Sequence, residues 1–419
     1  MGITMTRTVA EHLVAVLSAI QPLAPRELDL TDAGGRVLAA DVTSTTPIPL
    51  FDNSAMDGYA VRSADLAGAS AAHPITVPVA ADIPAGAVRT DPVAPGTVAR
   101  IMTGAPMPAG ADAIVPVEYS DGGTTETRLT LAPEPGRHLR RAGEDLAAGD
   151  LVLPAGTVLH ARQIAAAAAA GHGALTVHPR PRVAVISTGS ELVTPGSTPR
   201  GGQIPDSNSY LLARLVAEAG AEPVRIGAVP DDEAEFARVL AEVSPRVDAI
   251  ICSGGVSVGA YDVVKAVLAR EPGMWFGTVS MQPGKPQGFG HLADGTTVFT
   301  LPGNPVSVYV SFAVFVAPAL HRLAGHPVTA ALPLVPARAT SGWRSPAGRE
   351  QFMPVRIAHD GDAPDGQPAY LVRPSSERGS GSHLVGTLAA ADGLVRVPAD
   401  VTEVNAGETV ELLAEGRNR

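Results

Sequence analysis

Cysteine is nearly missing from this sequence: Cys252 is the only one in 419 residues. No intrachain disulfide can form, and a thiolate metal site lacks its partners. Cys252 sits inside an apolar run and reads as a small core residue. Aromatic residues are scarce at 4%, too few for a surface that stacks a single nucleic-acid strand. Positive charge is short as well. Lysine and arginine number 31 against 42 aspartates and glutamates, a net charge of −11. That excludes a general polyanion-binding surface, so any anion site must be a local pocket. No segment approaches eighteen uninterrupted strongly apolar residues, and the opening residues show no apolar h-region. The alanine run after Gln163 is too short and too weakly apolar to span a bilayer. These shortages predict a cytoplasmic protein with no nucleic-acid and no membrane partner.

What is present is a chain too long for one core, so two to four domains are expected. Glycine (44) and proline (38) are plentiful. They imply many turns and short strands, yet stay below the roughly 25–30% that marks low complexity. Val9, Leu13, Val16, Leu17 and Ile20 form one apolar helical stripe. Residues 42–150 carry short apolar runs broken by Pro, Gly and Asp, the pattern of a small all-β domain. The alanine-rich stretch that ends at Gly171 reads as a helix, either in an interface or internal. From Arg182 the pattern alternates. Strands are expected at 183–186, 224–229, 249–252 and 297–301, and helices at 210–219 behind the cap candidates Asp206, Ser207 and Ser209, after a variant capping box at Asp232 and Glu235, and at 263–269. A long apolar helix follows Pro305 and runs to about Leu323. Alternation of this kind predicts a doubly wound, three-layer α/β domain over about 177–326. Residues 327–419 return to β signals and read as a small β-barrel.

Three loops fall at strand ends of the α/β region. They are Ser187-Thr188-Gly189-Ser190-Glu191, the glycine loop 253–259, and Gln282-Pro283-Gly284-Lys285-Pro286 with Pro302-Gly303-Asn304-Pro305 behind it. Ligands bind beyond the carboxyl ends of strands in open α/β sheets. Glycine lets backbone N–H groups approach an anion, and a helix start adds its dipole. Each loop alone is an ordinary turn. Together they describe a phosphate-rich ligand held by amides, by Lys285 and by a bridging cation. Glu191 and Asp262 fall at the same edge. Each alone reads as a cap or a solvated acid, but together beside phosphate loops they look like magnesium ligands. In the β region, Asp52-Asn53-Ser54 beside Met56-Asp57-Gly58 reads as a set of Asx turns. If buried, it needs partners, which a ligand would supply. Arg137, Arg140 and Arg141 read as surface charge or as an anion-gathering group. The eleven histidines are scattered, and no GxSxG elbow occurs.

Seven segments occur in order: 51–59 (FDNSAMDGY), 101–106 (IMTGAP), 143–145 (GED), 187–192 (STGSEL), 253–259 (SGGVSVG), 283–286 (PGKP) and 301–306 (LPGNPV). In this combination nearly the whole chain resembles the MoeA family, the molybdopterin molybdenumtransferases, which are related to the E domain of gephyrin. The resemblance implies insertion of molybdate into adenylylated molybdopterin, with Mg2+, release of AMP and formation of molybdenum cofactor. It implies a homodimer whose cleft is completed by the partner subunit. It also implies contacts with the molybdopterin adenylyltransferase and with molybdoenzyme-maturation proteins. It divides the chain into a discontinuous linker and dimerisation domain (1–41 and 151–176), a small β domain (42–150), an α/β nucleotide-binding domain (177–326) and a C-terminal barrel (327–419). Carried over by motif, the catalytic residues are Asp57, Thr103, Asp145, Glu191 and Asp262, with Glu191 and Asp262 on the metal. The cofactor-binding residues are Ser187, Thr188, Gly189, Ser253, Gly254, Gly255, Ser257, Gly259, Lys285, Pro286, Pro302, Gly303, Asn304, Arg349 and Ser382. Arg349 and Ser382 resemble the residues that hold molybdate.

Two positions depart from the pattern. Gln282 stands where many relatives have the first lysine of Lys-Pro-Gly-Lys-Pro, and Pro354 stands where they often have a second arginine. A charged hydrogen bond is worth roughly 1.5–3 kcal/mol, so weakened anion binding is expected at Gln282. Two rival readings carry other features. An adenylyltransferase tends to carry Gly-Gly-Thr-Gly where this chain has Gly254-Gly255-Val256-Ser257. A non-catalytic scaffold would favour a long disordered linker or a fused domain.

Overall fold

The computed structural model describes residues 6–86, 92–256, 262–361, 368–376 and 381–413. The chain divides into two compact units. The first comprises 1–26, 35–37 and 178–419, and the second comprises 27–34 and 38–177.

The first unit is built on a seven-stranded mixed sheet. Its order is Thr6–Arg7, Trp275–Val279, Pro286–His291, Thr297–Leu301, Ala249–Ser253, Arg182–Thr188, Glu222–Val229. The last four strands are mutually parallel and match the runs expected from sequence. Three strands were not expected, the two-residue Thr6–Arg7, which pairs in parallel with Trp275–Val279, and two longer ones. Pro286–His291 runs antiparallel to Thr297–Leu301, and Trp275–Val279 antiparallel to Pro286–His291. Their glycines (Gly277, Gly288, Gly290) dilute the β-branched signal that marked the others. Side chains alternate between two buried cores. Val183, Val185, Ile251 and Phe299 face one, while Ala184, Ile186, Ile250 and Cys252 face the other. Both faces being covered makes the three layers, and it explains why these strands read as unbroken apolar runs. The Cys252 thiol is fully buried, and desolvation pushes its pKa up to about 12, which makes it an inert core residue.

Residues Pro305–Leu323 form one helix of 19 residues with a mean hydropathy of 1.5, long and apolar enough by those measures to cross a bilayer. A count of uninterrupted apolar residues misses this. Of its apolar window, 67% is buried, with Val308, Phe312, Val316 and Leu320 against the sheet. Val306, Val310 and Phe315 lie in a second cluster with Leu13, Leu17 and Phe352. This is a core helix, with a π-turn at Phe312–Val316.

The helix Val9–Ser18 is closed at its start by a reciprocal Thr8–Glu11 capping box. It packs inside the first unit, although the resemblance groups it with residues 151–176. It buries His12 between Trp275 and Phe315, beside the Arg7 guanidinium. Burial, reinforced by Arg7, lowers the imidazole pKa from 6.5 to about 3. Below pH 6.5 the unfolded chain therefore binds a proton that the folded one refuses. Stability is lost as pH falls through this window, by up to about 1.4 kcal/mol per pH unit. His12→Phe is expected to flatten the fall of the urea midpoint between pH 6.5 and 5. An unchanged slope would show that other groups carry it.

The C-terminal part of this unit is a closed five-stranded barrel. Glu350–His359, Tyr370–Pro374, Leu334–Ala339, Thr409–Leu413 and Gly393–Val397 pair in turn, and the last returns to the first. Arg396 ties Glu350 (2.6 Å) to Glu411 (2.7 Å).

The second unit holds a five-stranded sheet in the order Glu126–Leu129, Ile75–Ile83, Val98–Ile101, Gly58–Val61, Ala113–Pro116. Tyr59, Val61, Leu66 and Val115 lie in its core. The alanine-rich helix Ala161–Ala169 buries Ala167 in a separate small cluster with Leu38, Leu159, Leu175 and Val177.

Candidate active site

At the carboxyl ends of the parallel strands three peptide segments turn over one another. Ser187 and Ser253 are register partners, and their hydroxyls meet at 3.1 Å in the interior. Each strand then leaves the sheet through glycine. A Cβ on Gly254 (φ +96°) would lie 2.7 Å from the Thr188 carbonyl, and one on Gly255 (φ +64°) 2.5 Å from Val264 Cγ2. Only glycine allows this approach at these dihedrals. Gly254 N–H donates to Leu301 O at 3.0 Å, tying the glycine loop to Pro302-Gly303. The result is a cleft of about 1100 Å³. Thr188, Gly189, Glu191, Ser253, Gly254, Gly255, Asp262, Lys285, Pro286, Pro302, Gly303, Asn304, Arg349 and Ser382 all line it.

The side facing Lys285 is assembled from distant sequence. Gln287 Nε2 donates to Gly284 O (2.6 Å) and Ser311 Oγ (2.7 Å), fixing the turn before Lys285. Met281–Gln282 pairs in parallel with Glu350–Gln351, which brings Arg349 to this turn. Asn304 caps its helix through backbone geometry only. Its side chain instead donates to Ser382 Oγ at 3.0 Å, while Ser382 O accepts from Val306 N–H. Gln282 lines the cleft in the place of the missing lysine. Pro354 is buried within the barrel strand opposite Leu394 and does not line the cleft.

Several expected residues are elsewhere. Ser257 and Gly259 lie outside the described residues. Ser187 supports the cleft from below and does not line it. Asp57, Thr103 and Asp145 belong to the second unit. There Asp57 Oδ1 accepts from both the N–H and the hydroxyl of Thr103, each at 2.7 Å. The Thr103 N–H first, and its hydroxyl second, hold the Asp57 carboxyl below its usual value. Asp145 is fixed through its N–H to Ile48 O. Asn53 and Ser54 are buried, but their partners are Phe51 O and Met56 O. Local backbone bonds therefore serve both side chains without a ligand, and Ser54 Oγ also accepts from Met56 N–H as a Ser turn does, while no Asx turn forms at Asp52 or Asn53. Of the arginine triplet, Arg141 pairs with Asp52 at 2.7 Å.

Sequence reasoning missed Asn208, Asp231 and His383, and took Asp206 only as a helix cap. All four line the cleft. Asp206 does cap: it accepts from Ser209 N–H at 3.0 Å. Asn208 Nδ2 donates to Gly303 O at 2.6 Å and pins that loop. Asp231 exchanges hydrogen bonds with Ser190. The spacing of Asp231 from the strand end at Val229 is the one signal that pointed to it.

The donor set suits a hard divalent cation shared with phosphate. Glu191 and Asp262 are carboxylates on one cleft, and no group of three or more His, Cys, Asp or Glu that could hold a metal occurs among the described residues. Mg2+ is commonly held by one or two carboxylates plus substrate phosphates. Gly255 controls this geometry, because Asp262 precedes the helix Val263–Leu268 that packs on it. Gly255→Ala is expected to cost about 1–2 kcal/mol for the backbone alone, plus the clash with Val264. Gly295→Ala (φ +89°, open space) carries the backbone cost only. Urea midpoints should therefore rank Gly255→Ala below Gly295→Ala. Equal midpoints would mean that Val264 yields freely.

Profiles of the MoeA N-terminal region (domains I and II), of a probable molybdopterin binding domain and of the MoeA C-terminal region (domain IV) match residues 7–171, 184–322 and 336–414. Molybdopterin molybdenumtransferase 2 of Mycobacterium tuberculosis is 44% identical over 97% of this chain and 99% of its own. The molybdopterin molybdenumtransferase of Nostoc is 37% identical over 92% and 88%. Among solved structures, a molybdopterin biosynthesis MoeA protein from Pyrococcus horikoshii superposes with a TM-score of 0.81 at 31% identity, covering 97% of this chain and 98% of that one. With matches that span its length at this identity, the chain belongs to the molybdopterin molybdenumtransferase (MoeA) family.

Proposed function

We propose that this chain is a transferase that inserts molybdate into adenylylated molybdopterin and releases AMP as molybdenum cofactor forms. The observation that carries the reading is the convergence on one cleft of two anion-holding sides of different character. Amides and carboxylates surround Gly254 and Asp262 on one side, and cations stand at Lys285 and Arg349 on the other. The first suits a phosphoanhydride, the second a tetrahedral dianion.

In this reading Lys285, Arg349 and Ser382 dock molybdate, and the Asn304–Ser382 hydrogen bond fixes the hydroxyl that donates to it. The N–H groups of Gly255 and Asn304 carry charge that develops on phosphate, while the Gly254 N–H holds the loop to Leu301. Glu191 and Asp262 hold Mg2+, which supplies electrostatic stabilisation of the pyrophosphate linkage. Ser257 and Gly259, by the motif they share with the family, are assigned to phosphate binding as part of the same proposal. In a homodimer, Asp57, Thr103 and Asp145 of a second copy complete the cleft. Cytoplasmic residence and contacts with the adenylyltransferase and with molybdoenzyme-maturation proteins belong to the same proposal.

The test is direct. Purified protein with adenylylated molybdopterin and Mg2+ is expected to release AMP only when molybdate is added. Molybdate-independent release, or formation of adenylylated molybdopterin and pyrophosphate from ATP and molybdopterin, would sink the reading.

A further inference from the structure

Two walls of the cleft carry apolar side chains exposed to water. Ile204 is 53% exposed and Val385 49% exposed, and both line the cavity. Ile204 stands in the short strand Ile204–Pro205, paired with Leu192–Val193. Its N–H donates to Glu191 O at 2.9 Å, which locks it one residue from the proposed metal ligand. Val385 opens the short helix Val385–Leu388 and follows Ser382 by three residues. The backbone of Ser382 is in turn bonded to Val306. Neither side chain is loose, because each sits on a backbone held by the site itself.

An isolated exposed aliphatic residue needs no explanation. Two in one cleft, on segments fixed by site residues, with Leu192 paired to Ile204 and Pro205 next to it in the same lining, put exposed aliphatic surface where a ligand enters. The lining is short of the usual alternative. Among its described residues there is no Phe, Tyr or Trp, and His383 is the one ring there that a flat group could stack on. The rest of the coverage must come from aliphatic groups, and these two are exposed.

We propose that Ile204 and Val385 cover a planar nitrogen heterocycle of the substrate and so set affinity and ring specificity without entering the chemistry. The inference rests on the function proposed above, whose substrate carries two such rings, adenine and pterin. The charged side chains and amides of the cleft hold its charged parts, and the exposed aliphatic groups cover a ring. Burial of aliphatic surface against the ring is the source of affinity.

The test uses Ile204→Ser and Val385→Ser, with AMP, molybdopterin and inorganic pyrophosphate as separate probes in equilibrium binding. Each variant is expected to weaken binding of one ring-bearing probe about tenfold, with pyrophosphate affinity unchanged. The probe that weakens identifies the ring. Because both residues are exposed, the variants should fold as wild type does. KM for adenylylated molybdopterin is expected to rise, with kcat at saturation within twofold. Val385→Phe adds a larger aromatic face and should tighten the probe that Val385→Ser weakens. Unchanged affinity for AMP and molybdopterin in both serine variants would overturn the inference, as would an equal loss of pyrophosphate binding. Failure of wild-type protein to release AMP would overturn the functional reading, while the binding arms still test the ring contact.

Discussion

Asp262→Ala is expected to lower molybdate-dependent AMP release by about 10²–10³-fold, the usual loss when one preorganised electrostatic contact is removed at a reacting group. Two observations single out Asp262. It lines the cleft together with Glu191, and it stands at the start of the helix Val263–Leu268, directly behind the glycine loop. A Cβ on Gly255 would meet both Val264 and Asp262 Oδ1, so the glycine packs directly against the carboxylate and the helix it precedes. If the two carboxylates share one cation, their losses are not additive, because the second substitution removes a ligand from a site already empty. Glu191→Ala alone should therefore resemble Asp262→Ala, and the double variant should be little worse than either. Titrating Mg2+ into the AMP-release assay provides the check. Asp262→Asn, which keeps the shape and loses the charge, should need far more Mg2+ to reach a given rate. Normal release by Asp262→Ala at low Mg2+ would remove the carboxylate from the mechanism.

What the sequence disclosed follows from where local pattern and tertiary need agree. The parallel strands were legible because burial on both faces leaves an unbroken apolar run, as at Ala249–Ser253. Asp232 was legible as a cap because capping is a contact within four residues, and its carboxylate does accept from Glu235 N–H. The antiparallel pair Trp275–Val279 and Pro286–His291 was not legible. Its glycines admit close neighbours: a Cβ on Gly290 would collide with the Gly273 carbonyl. That requirement is tertiary and leaves no period. In the site, the residues that followed a strand end were readable, while Asn208 was not. Its role is to hold Gly303, 95 residues away, and nothing local records that. At Asn53 and Ser54 the sequence allowed either turns or a ligand. Their hydrogen bonds close on the backbone two residues away, and Ser54 makes a Ser turn with Met56.

Arg349→Ala is expected to raise the molybdate concentration needed for half-maximal AMP release by roughly 10–100-fold, the equivalent of losing one charged hydrogen bond of about 1.5–3 kcal/mol. The charge inventory of the cleft makes the loss severe. Its described lining holds Glu191, Asp206, Asp231 and Asp262 against only Lys285 and Arg349 as permanent cations. A dianion entering that field depends on the two cations, and neither has an acidic partner among the described ion pairs that would survive to share the work. Lys285→Ala should therefore behave like Arg349→Ala, with kcat less affected than the molybdate requirement, since docking precedes transfer. Gln282 offers the complementary test. It lines the cleft beside Pro283 and Lys285, on the segment that pairs with Glu350–Gln351. A cation there would add to the same side. Gln282→Lys should lower the half-saturating molybdate concentration several-fold in the wild-type background and recover part of the loss in Arg349→Ala. A neutral effect of Gln282→Lys on molybdate, with Arg349→Ala also silent, would place the oxoanion elsewhere in the cleft. A gain from Gln282→Lys at low ionic strength only would mark general attraction instead of a docked contact, because a direct contact in the cleft is screened far less by salt than a distant charge.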